Sequence, residues 1–427
     1  MKIIVTPIPN DQTPSVMALL PVDILYYNIL TKIRAKSLLR FKCVCKDWYN
    51  LINSSNFRNI QHKHTLQLES RDSSDFLVVS DTYGLDSDDT RGTIWPLLYT
   101  YLDAPNYTSG INRKMEAFEV SCHIVGSSNG LICLQFEGSG FSLCNPVTRE
   151  YSRLIKSPLL ASDGFLDAYN GFGYDVVSRD YKIVNITKFQ QNCIVHVYST
   201  GSNSWKKVQK YPDLLHKSWG YNGKNVIVNN KLHWIMLKND EDIRTNSIFM
   251  FDLDTEEFGD ISYPTGLQMY DGSLDLRVSH GRLCTLQKSL PSTYRKFSMW
   301  VMKEYGVVES WTKLYEILGK RICTKYFWMI TQLSRRDREE VLLIRYDKHR
   351  IRELVWYNLE TKSITGKAKD TAPEKYFGSD WLCIASLAPI PGNHPNKRHT
   401  DLAIVDDMKK EVALGYSAYC ANLPMYG

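Results

Sequence analysis

Apolar residues recur at helical spacing in one early stretch, residues 19–57. The stretch opens with Leu20-Pro21-x-Asp23, and a proline suits the first turn of a helix because its missing N–H would have no partner there. Two apolar series follow at steps of three or four residues, on either side of a polar break at 34–37. Their members are Leu25, Ile29 and Ile33, then Leu38, Phe41, Cys45, Trp48 and Ile52. We expect three short amphipathic helices, too few to bury a core of their own, which leave apolar surface for another molecule to cover. Periodicity alone supports equally well that the second series only packs inside a small helical cap on the rest of the chain.

From residue 76 onward the pattern changes to short runs of β-favouring residues separated by turn residues. Aromatic side chains, which favour strands, make up 12% of the chain. Many short strands punctuated by turns predict an all-β barrel, a sandwich or a propeller.

An internal repeat favours the propeller. A turn is followed six positions later by an aromatic or large apolar residue, and this pair recurs every 53 or 54 residues. The pairs are Asn145 with Tyr151, Ser199 with Trp205, Asp252 with Phe258, Tyr305 with Trp311, and Asn358 with Ile364. Most of these turns begin with a side chain that can bond its own turn backbone. Each unit has a second hairpin turn upstream, near 128–130, 178–180, 229–230, 280–281 and 337–340. We therefore expect five four-stranded units.

The two ends of this β region can supply one more unit. Residues 76–102 have the pattern of outer strands, and the run 381–387 can complete them. Closing a ring with both ends of the domain removes free sheet edges. The expected count is six blades, with seven as the alternative. The fold class is therefore α+β multidomain, with a small three-helix unit followed by an all-β propeller. The predicted divisions are a disordered leader 1–16, a helical domain 17–62, a linker 63–75, a propeller-like domain 76–390 and a C-terminal tail 391–427.

Composition and charge argue against several classes of partner. The net charge of +6 is small against 52 basic and 46 acidic side chains, so we expect no nucleic-acid partner. There is no run of about eighteen apolar residues, so we expect no membrane partner. Prolines and polar residues interrupt the apolar stretch that a signal peptide would need at the start of the chain. The ten cysteines are therefore expected to be thiols in a cytoplasmic and/or nuclear protein.

The motifs that could carry chemistry have simpler structural explanations. Gly126-Ser127-Ser128-Asn129-Gly130 matches the hydrolase elbow, but that elbow needs a helix after the serine and a β run follows here. Asn129-Gly130 instead predicts a hairpin turn. Gly171-x-Gly173 lacks a third glycine and is interpreted as a loop. The histidines show no metal-ligand spacing. We expect no enzyme activity, no cofactor and no metal.

The helical stretch resembles a plant-type F-box. The resemblance rests on Leu20-Pro21-x-Asp23, on Ile29-Leu30, and on the block Lys36-Ser37-Leu38-Leu39-Arg40-Phe41-Lys42-Cys43-Val44-Cys45-Lys46-x-Trp48 followed by Leu51-Ile52. The chain departs from the usual pattern at Arg34, where proline is common, and at Cys45, where serine is common. The first change loosens the expected start of the second helix.

The β region resembles a plant F-box-associated domain, a kelch-like propeller, although the double-glycine kelch signature is absent. The matching residues are 126–134, Asn145-Pro146-x-Thr148-Arg149-Glu150-Tyr151, 172–175, 180–184, and 197–205, which ends in Ser204-Trp205. The resemblance covers residues 121 to about 387 and becomes looser after Trp311. S-locus-type F-box proteins and general or defence-related F-box adaptors look equally similar.

The resemblance implies a non-catalytic subunit of a Skp–cullin–F-box ubiquitin ligase. The F-box would bind a Skp-type adaptor and, through it, a cullin–RING ligase core, while the propeller holds an unknown target protein. The residues expected to bind the adaptor are Leu20, Pro21, Ile24, Leu25, Ile29, Leu30, Leu38, Phe41, Val44, Trp48 and Leu51. The alternative is a propeller that binds a carbohydrate or another small ligand and carries an appended F-box. A propeller-type enzyme is a third class, which would need polar residues converging at the central channel.

Loops at one end of a propeller usually carry its binding surface. Five expected loops, 160–171, 211–224, 238–245, 263–272 and 287–296, contain aromatic residues that suit interface anchors. The candidate target-binding residues are Tyr169, Trp219, Tyr221 and Tyr270.

Overall fold

The computed structural model describes most of the predicted helical and β regions. The described residues are 24–68, 76–80, 95–101, 113–118, 122–136, 139–158, 166–189, 192–209, 218–220, 224–240, 243–264, 274–289, 296–318, 327–335, 340–346, 352–369, 380–392 and 409–411. The predicted leader and nearly all of the predicted tail lie outside these residues.

The helical unit begins with a π-helical turn, Ile24–Ile29, and a 3-10 turn, Leu30–Lys32. Three α-helices follow: α1 (Ala35–Phe41), α2 (Lys46–Asn53) and α3 (Ser55–Leu68). Ser54 separates the last two, and its hydroxyl accepts a hydrogen bond from the Phe57 N–H at 3.3 Å, as an N-cap does. α3 continues six residues past the predicted domain end at 62, so the predicted linker starts inside a helix. The polar sequence of this segment did not indicate a buried helix. In the structure two of its polar side chains satisfy each other, because the Gln61 amide donates a hydrogen bond to the Thr65 hydroxyl at 2.9 Å.

The described strands form six antiparallel sheets of four or five strands. Sheet A contains β1 (Phe76–Ser80), β2 (Trp95–Tyr101), β3 (Arg113–Phe118) and β26 (Asp380–Ile384). Sheet B contains β4 (Cys122–Ser128), β5 (Leu131–Phe136), β6 (Gly140–Asn145), β7 (Glu150–Tyr151) and β8 (Ile155–Lys156). Sheet C contains β9 (Leu166–Asp175), β10 (Asp180–Phe189), β11 (Asn192–Ser199) and β12 (Ser204–Lys207).

The remaining sheets follow in chain order. Sheet D contains β13 (Ser218–Gly220), β14 (Val226–Val228), β15 (Lys231–Asp240), β16 (Ile243–Asp252) and β17 (Phe258–Ile261). Sheet E contains β18 (Leu274–Ser279), β19 (Arg282–Ser289), β20 (Lys296–Met302) and β21 (Trp311–Leu318). Sheet F contains β22 (Phe327–Arg335), β23 (Glu340–Tyr346), β24 (Arg352–Asn358) and β25 (Ser363–Lys369). The strands at one end of each sheet contact those of the next sheet: β26 of sheet A contacts β4 of sheet B, and β4 contacts β9 of sheet C. The fold is a helical unit followed by a β-propeller.

The predicted closure of the β region by its two ends is confirmed. β26 pairs with β1 along its whole length, from Phe76 opposite Ile384 to Ser80 opposite Asp380. Sheet A therefore combines the first three strands of the β region with its last one. β1 therefore has a partner strand on each side and no free edge.

The predicted repeat turns are also confirmed where they open with a polar side chain. The Asn145, Asp252 and Asn358 side chains accept hydrogen bonds from turn N–H groups, such as Thr361 N to Asn358 Oδ1 at 2.7 Å. The fourth turn residue has a positive φ in each case, at 61° for Arg149, 59° for Glu256 and 55° for Lys362. These turns set the 53- to 54-residue period because each one joins the third and fourth strands of its sheet.

The glycines predicted to form a loop lie instead within β9, where they pack closely against sheet D. A Cβ on Gly171 would come within 2.5 Å of the Trp234 ring, and one on Gly173 within 2.8 Å of Leu253. Trp234 is fully buried in the core shared by these sheets. The interpretation as a loop was therefore wrong, because the two glycines make room for the neighbouring sheet inside a strand.

Candidate functional site

The helical unit exposes large apolar side chains, and these form the candidate docking surface. The members of this surface are Ile24 and Ile29, each 41% exposed, Val44 at 62% and Tyr49 at 54%. Ile24 and Ile29 lie in the opening turn, Val44 lies in the bend between α1 and α2, and Tyr49 lies in α2. Because water contacts these side chains in the isolated chain, a partner that covered them would gain hydrophobic free energy.

Two of the predicted adaptor-binding residues lie in the core instead. Leu30 and Leu38 are 1% and 0% exposed and pack with Ile52 and Phe57. Helical periodicity selects an apolar stripe but does not say which part of it faces inward, so their assignment to a docking surface is corrected here. Both side chains hold the helical unit together.

The other predicted residues lie between core and surface, or outside the described residues. Phe41, Trp48 and Leu51 are partly buried against the core, and the Phe41 and Trp48 rings meet edge-on with centroids 5.4 Å apart. Leu20, Pro21 and the Leu25 side chain lie outside the described part of the chain. Tyr49 was missed because it falls off the apolar stripe. An aromatic residue on the polar side of an amphipathic helix is the signal that could have found it.

The helical unit that carries the docking surface is strongly basic. Residues 24–68 contain eight lysines and arginines and a single acidic residue, Asp47. Five of these basic side chains are exposed, namely Lys32, Arg34, Arg40, Lys46 and Lys63. The whole chain has a net charge of only +6, so its positive charge is concentrated in the helical unit. A partner with an acidic rim would be attracted to this surface.

Helix α3 fixes the helical unit to the propeller through Arg58. Its guanidinium donates to the Leu387 carbonyl at 3.0 Å and to the Ala388 carbonyl at 3.2 Å. It also forms a two-pronged ion pair with Glu150, including a 2.7 Å bond to Oε1. Such fork-to-fork pairs fix direction as well as distance.

The residues that follow β26 form a strap, 385–390, between α3 and sheet B. The Asn145 side-chain amide donates to the carbonyls of Ser386 and Ala388, at 3.2 and 2.8 Å. From the other side, Gln61 Oε1 accepts a hydrogen bond from the Leu387 N–H at 3.2 Å. The strap is almost fully buried. The segment that closes the ring is thus the one that holds α3.

His62 completes this contact, with Nδ1 3.2 Å from the Ser386 hydroxyl. Burial lowers the pKa of His62 from 6.5 to about 4, so the ring is neutral in the folded chain at neutral pH. Because the pKa of His62 is lower in the folded chain, the unfolded chain binds more protons than the folded chain between about pH 6.5 and about pH 4. His62 therefore stabilises the packed state above that window, and the contribution is lost through it.

Two family models match the chain. The model described as the F-box domain matches residues 18–60, and the model described as the F-box associated beta propeller domain matches residues 104–388. The second covers more than half of the chain. This chain is an F-box protein of the family with an F-box-associated propeller.

The relatives of this F-box protein agree with that assignment. F-box protein CPR1 of Arabidopsis thaliana is 30% identical, over 87% of this chain and 89% of its own length. The F-box/kelch-repeat protein At3g23880 of the same plant is 27% identical, over 71% of this chain and 80% of its own length. Among solved structures, TolB from Acinetobacter baumannii aligns with 78% of this chain and 73% of its own, at a TM-score of 0.44 and 9% identity.

The residues predicted to bind a target are not brought together in the described part of the F-box protein. Tyr169 is only 9% exposed and packs with Trp234 in the core, so its prediction as an exposed anchor is corrected. It lies in β9, where strand replaces the expected loop. Trp219 lies in β13 opposite Leu237, and its side chain is outside the described residues. Tyr221 and Tyr270 are also outside them.

The possible catalytic motif of the F-box protein is a hairpin. Ser127 and Ser128 end β4, Asn129 and Gly130 have φ values of 47° and 78°, and β5 follows without a helix. Ser128 Oγ accepts a hydrogen bond from the Tyr174 N–H at 3.1 Å, which gives it a structural role. Within the described residues no group of His, Cys, Asp and Glu is arranged to hold a metal ion. No described helix is long and apolar enough to cross a membrane.

Proposed function

We propose that this F-box protein is the substrate-recognition subunit of a Skp–cullin–F-box ubiquitin ligase. The observation that carries the proposal is the pairing of an exposed apolar docking surface, on a strongly basic helical unit, with a propeller to which α3 is rigidly bonded. The helical unit binds a Skp-type adaptor, and the propeller presents a target protein to the conjugating enzyme that the cullin–RING core recruits. Proximity supplies the rate increase, so the chain needs no catalytic residue.

The proposed adaptor contacts centre on Ile24, Ile29, Val44 and the edges of Phe41 and Trp48. Leu20, Pro21, Leu25 and Leu51 stay in the proposal as flanking contacts. Tyr49 joins them because its ring is 54% exposed. The exposed Lys32, Arg40 and Lys46 place positive charge beside these contacts. We expect that charge to increase the association rate with an acidic adaptor.

We further propose that each of the six sheets is one blade of a six-bladed ring, which β26 closes. The pairing of β26 with β1 supports this count. The compartments of action are the cytoplasm, the nucleus or both, where a cytosolic ligase core and its adaptor would meet the chain.

Titration of the intact chain with a purified Skp-type adaptor tests the proposed docking. We expect saturable one-to-one binding, with an association rate that falls as salt is raised from about 50 to 200 mM, because opposite charges steer the encounter. Biolayer interferometry measures the association and dissociation rates. No binding at micromolar adaptor would contradict the proposed function. Binding with a salt-independent association rate would contradict only the role of the basic side chains.

A further inference from the structure

Two thiols lie in the bend between α1 and α2, within the candidate docking surface. Cys43 and Cys45 are both exposed, whereas the six other cysteines in the described part of the chain are buried. A buried cysteine behaves as a small apolar core residue, and its thiol is out of reach of reagents. Among the thiols that the structure describes, these two are therefore the ones open to reaction in the folded chain.

The fold makes no use of the Cys45 thiol. Cys45 occupies the N-cap position of α2, where its carbonyl accepts a hydrogen bond from the Tyr49 N–H at 3.0 Å. Serine, threonine, aspartate and asparagine are preferred at this position, because their side-chain oxygen accepts a further N–H of the first turn. Cys45 makes no such side-chain bond. An N-cap that leaves its helix uncapped departs from a local rule, and such departures concentrate at functional sites.

The bend itself is held through backbone atoms. The Cys43 N–H donates to the Arg40 carbonyl at 3.1 Å, and the Val44 N–H donates to the Phe41 carbonyl at 3.0 Å. Val44, between the two cysteines, is 62% exposed and is the most exposed apolar member of the docking surface. A group attached to either thiol would therefore lie beside a side chain at the centre of the proposed adaptor contact.

The charges around the bend favour an anionic reagent. Arg40 and Lys46 are exposed, and Lys42 is partly exposed. Asp47, which is also exposed, opposes them, and residues 40–47 keep a net charge of +2. Glutathione disulfide, a small disulfide of the cytosol, carries more carboxylates than ammonium groups. Opposite net charges raise the rate at which such a reagent meets the bend.

We propose that Cys43 and Cys45 form a modification site for an anionic low-molecular-weight disulfide, and that modification of either thiol blocks adaptor binding. This inference rests on the proposed function and adds a means of regulating it. Disulfides formed in the cytosol are typically transient and redox-sensing, which suits a reversible block.

The reaction is thiol–disulfide exchange. A cysteine thiolate attacks one sulfur of the reagent, a new S–S bond joins that sulfur to the protein, and the original S–S bond breaks. The other half of the reagent leaves as a thiolate with the electron pair and takes up the proton that the cysteine lost. The cysteine is oxidised and the departing half is reduced, so no further oxidant is needed.

The product is incompatible with an apolar contact at Val44. A glutathionyl group would place carboxylates where the adaptor contact excludes water, and an unpaired charge is costly there. The same exclusion acts in the other direction, because a bound adaptor would cover both thiols. Adaptor and reagent therefore compete for one surface, and a thiol reductant restores the free chain.

The test incubates the intact, reduced chain with glutathione disulfide and locates adducts by peptide mass spectrometry. We expect them on the peptide that contains Cys43 and Cys45, and not on the buried cysteines. The rate should fall as salt is raised from about 50 to 200 mM, and with cystamine, a cationic disulfide, it should rise. The modified chain should bind a Skp-type adaptor at least about 100-fold more weakly, and dithiothreitol should restore binding.

The matched control is the Cys43→Ser, Cys45→Ser double variant. Serine suits the N-cap position of α2, so this variant should fold. It should take up no glutathione at the bend and should bind the adaptor equally well before and after exposure to glutathione disulfide.

Three results would overturn the inference: no adduct at these two thiols, a modified chain that binds adaptor as tightly as the reduced one, or the same salt effect with both reagents. Adduct formation and its salt dependence are measured without adaptor, so they decide the modification site separately. If the reduced wild type fails to bind adaptor, the proposed function fails, whatever the adducts show.

Discussion

Alanine at position 58 should release α3 from the propeller while the sheets stay folded. Arg58 and Glu150 have side chains only 12% and 21% exposed, so neither is well solvated where it lies. Removing the guanidinium leaves the Glu150 carboxylate with the Thr148 hydroxyl at 2.9 Å, and leaves two strap carbonyls without this donor. We expect the free energy needed to detach α3 from the propeller to fall by about 2–4 kcal/mol.

Hydrogen exchange of the α3 backbone amides in the intact chain measures this opening free energy. Lys63→Ala is the matched control, because Lys63 is an exposed cation on the same helix. Arg58→Lys should recover only part of the loss, since an ammonium cannot make the two-pronged pair. Wild-type protection of α3 in Arg58→Ala would show that the ion pair and the strap do not hold the helix.

Aspartate at both Ile29 and Val44 should abolish adaptor binding. Both side chains are exposed in the isolated chain, at 41% and 62%, so the substitutions cost the fold little. In a complex they would bury two carboxylates at the centre of an apolar contact, where an unpaired charge is costly. We expect the affinity for a Skp-type adaptor to fall at least about 100-fold.

The control for this variant is Val307→Asp, which adds a carboxylate at an exposed valine of the propeller. It should bind adaptor as the wild type does. Thermal unfolding of all three proteins checks that the sheets are intact. If the double aspartate variant bound adaptor with unchanged affinity, the docking surface would have to lie elsewhere on the chain.

The propeller could be predicted from sequence because its signals are local. Asn145, Asp252 and Asn358 cap their own turns, so each repeat of the signal lies within a few consecutive residues. Asn129-Gly130 similarly specifies its hairpin through two positive φ values. The closure by β26 followed because an unfinished unit at one end of the domain needed a strand from the other.

The inward and outward assignments could not be predicted, because they depend on contacts distant in sequence. Leu38 and Val44 are similar aliphatic residues six positions apart, yet one is buried and the other is 62% exposed. Gly171 was predicted to lie in a loop because the constraint that requires glycine there is distant in sequence. A Cβ at this position would collide with the ring of Trp234. The polar Arg58 and Gln61 gave no sign that their partners are the strap residues Leu387 and Ala388.

Ubiquitin transfer by a reconstituted ligase tests the central claim most directly. The chain is combined with a Skp-type adaptor, a cullin–RING core, activating and conjugating enzymes and ubiquitin, and conjugates on its own lysines are followed by mass spectrometry. The account predicts conjugation of the wild type and of Val307→Asp, and almost none of the Ile29→Asp, Val44→Asp variant. Equal conjugation of all three, or none of any, would contradict the role of this F-box surface in recruiting the ligase.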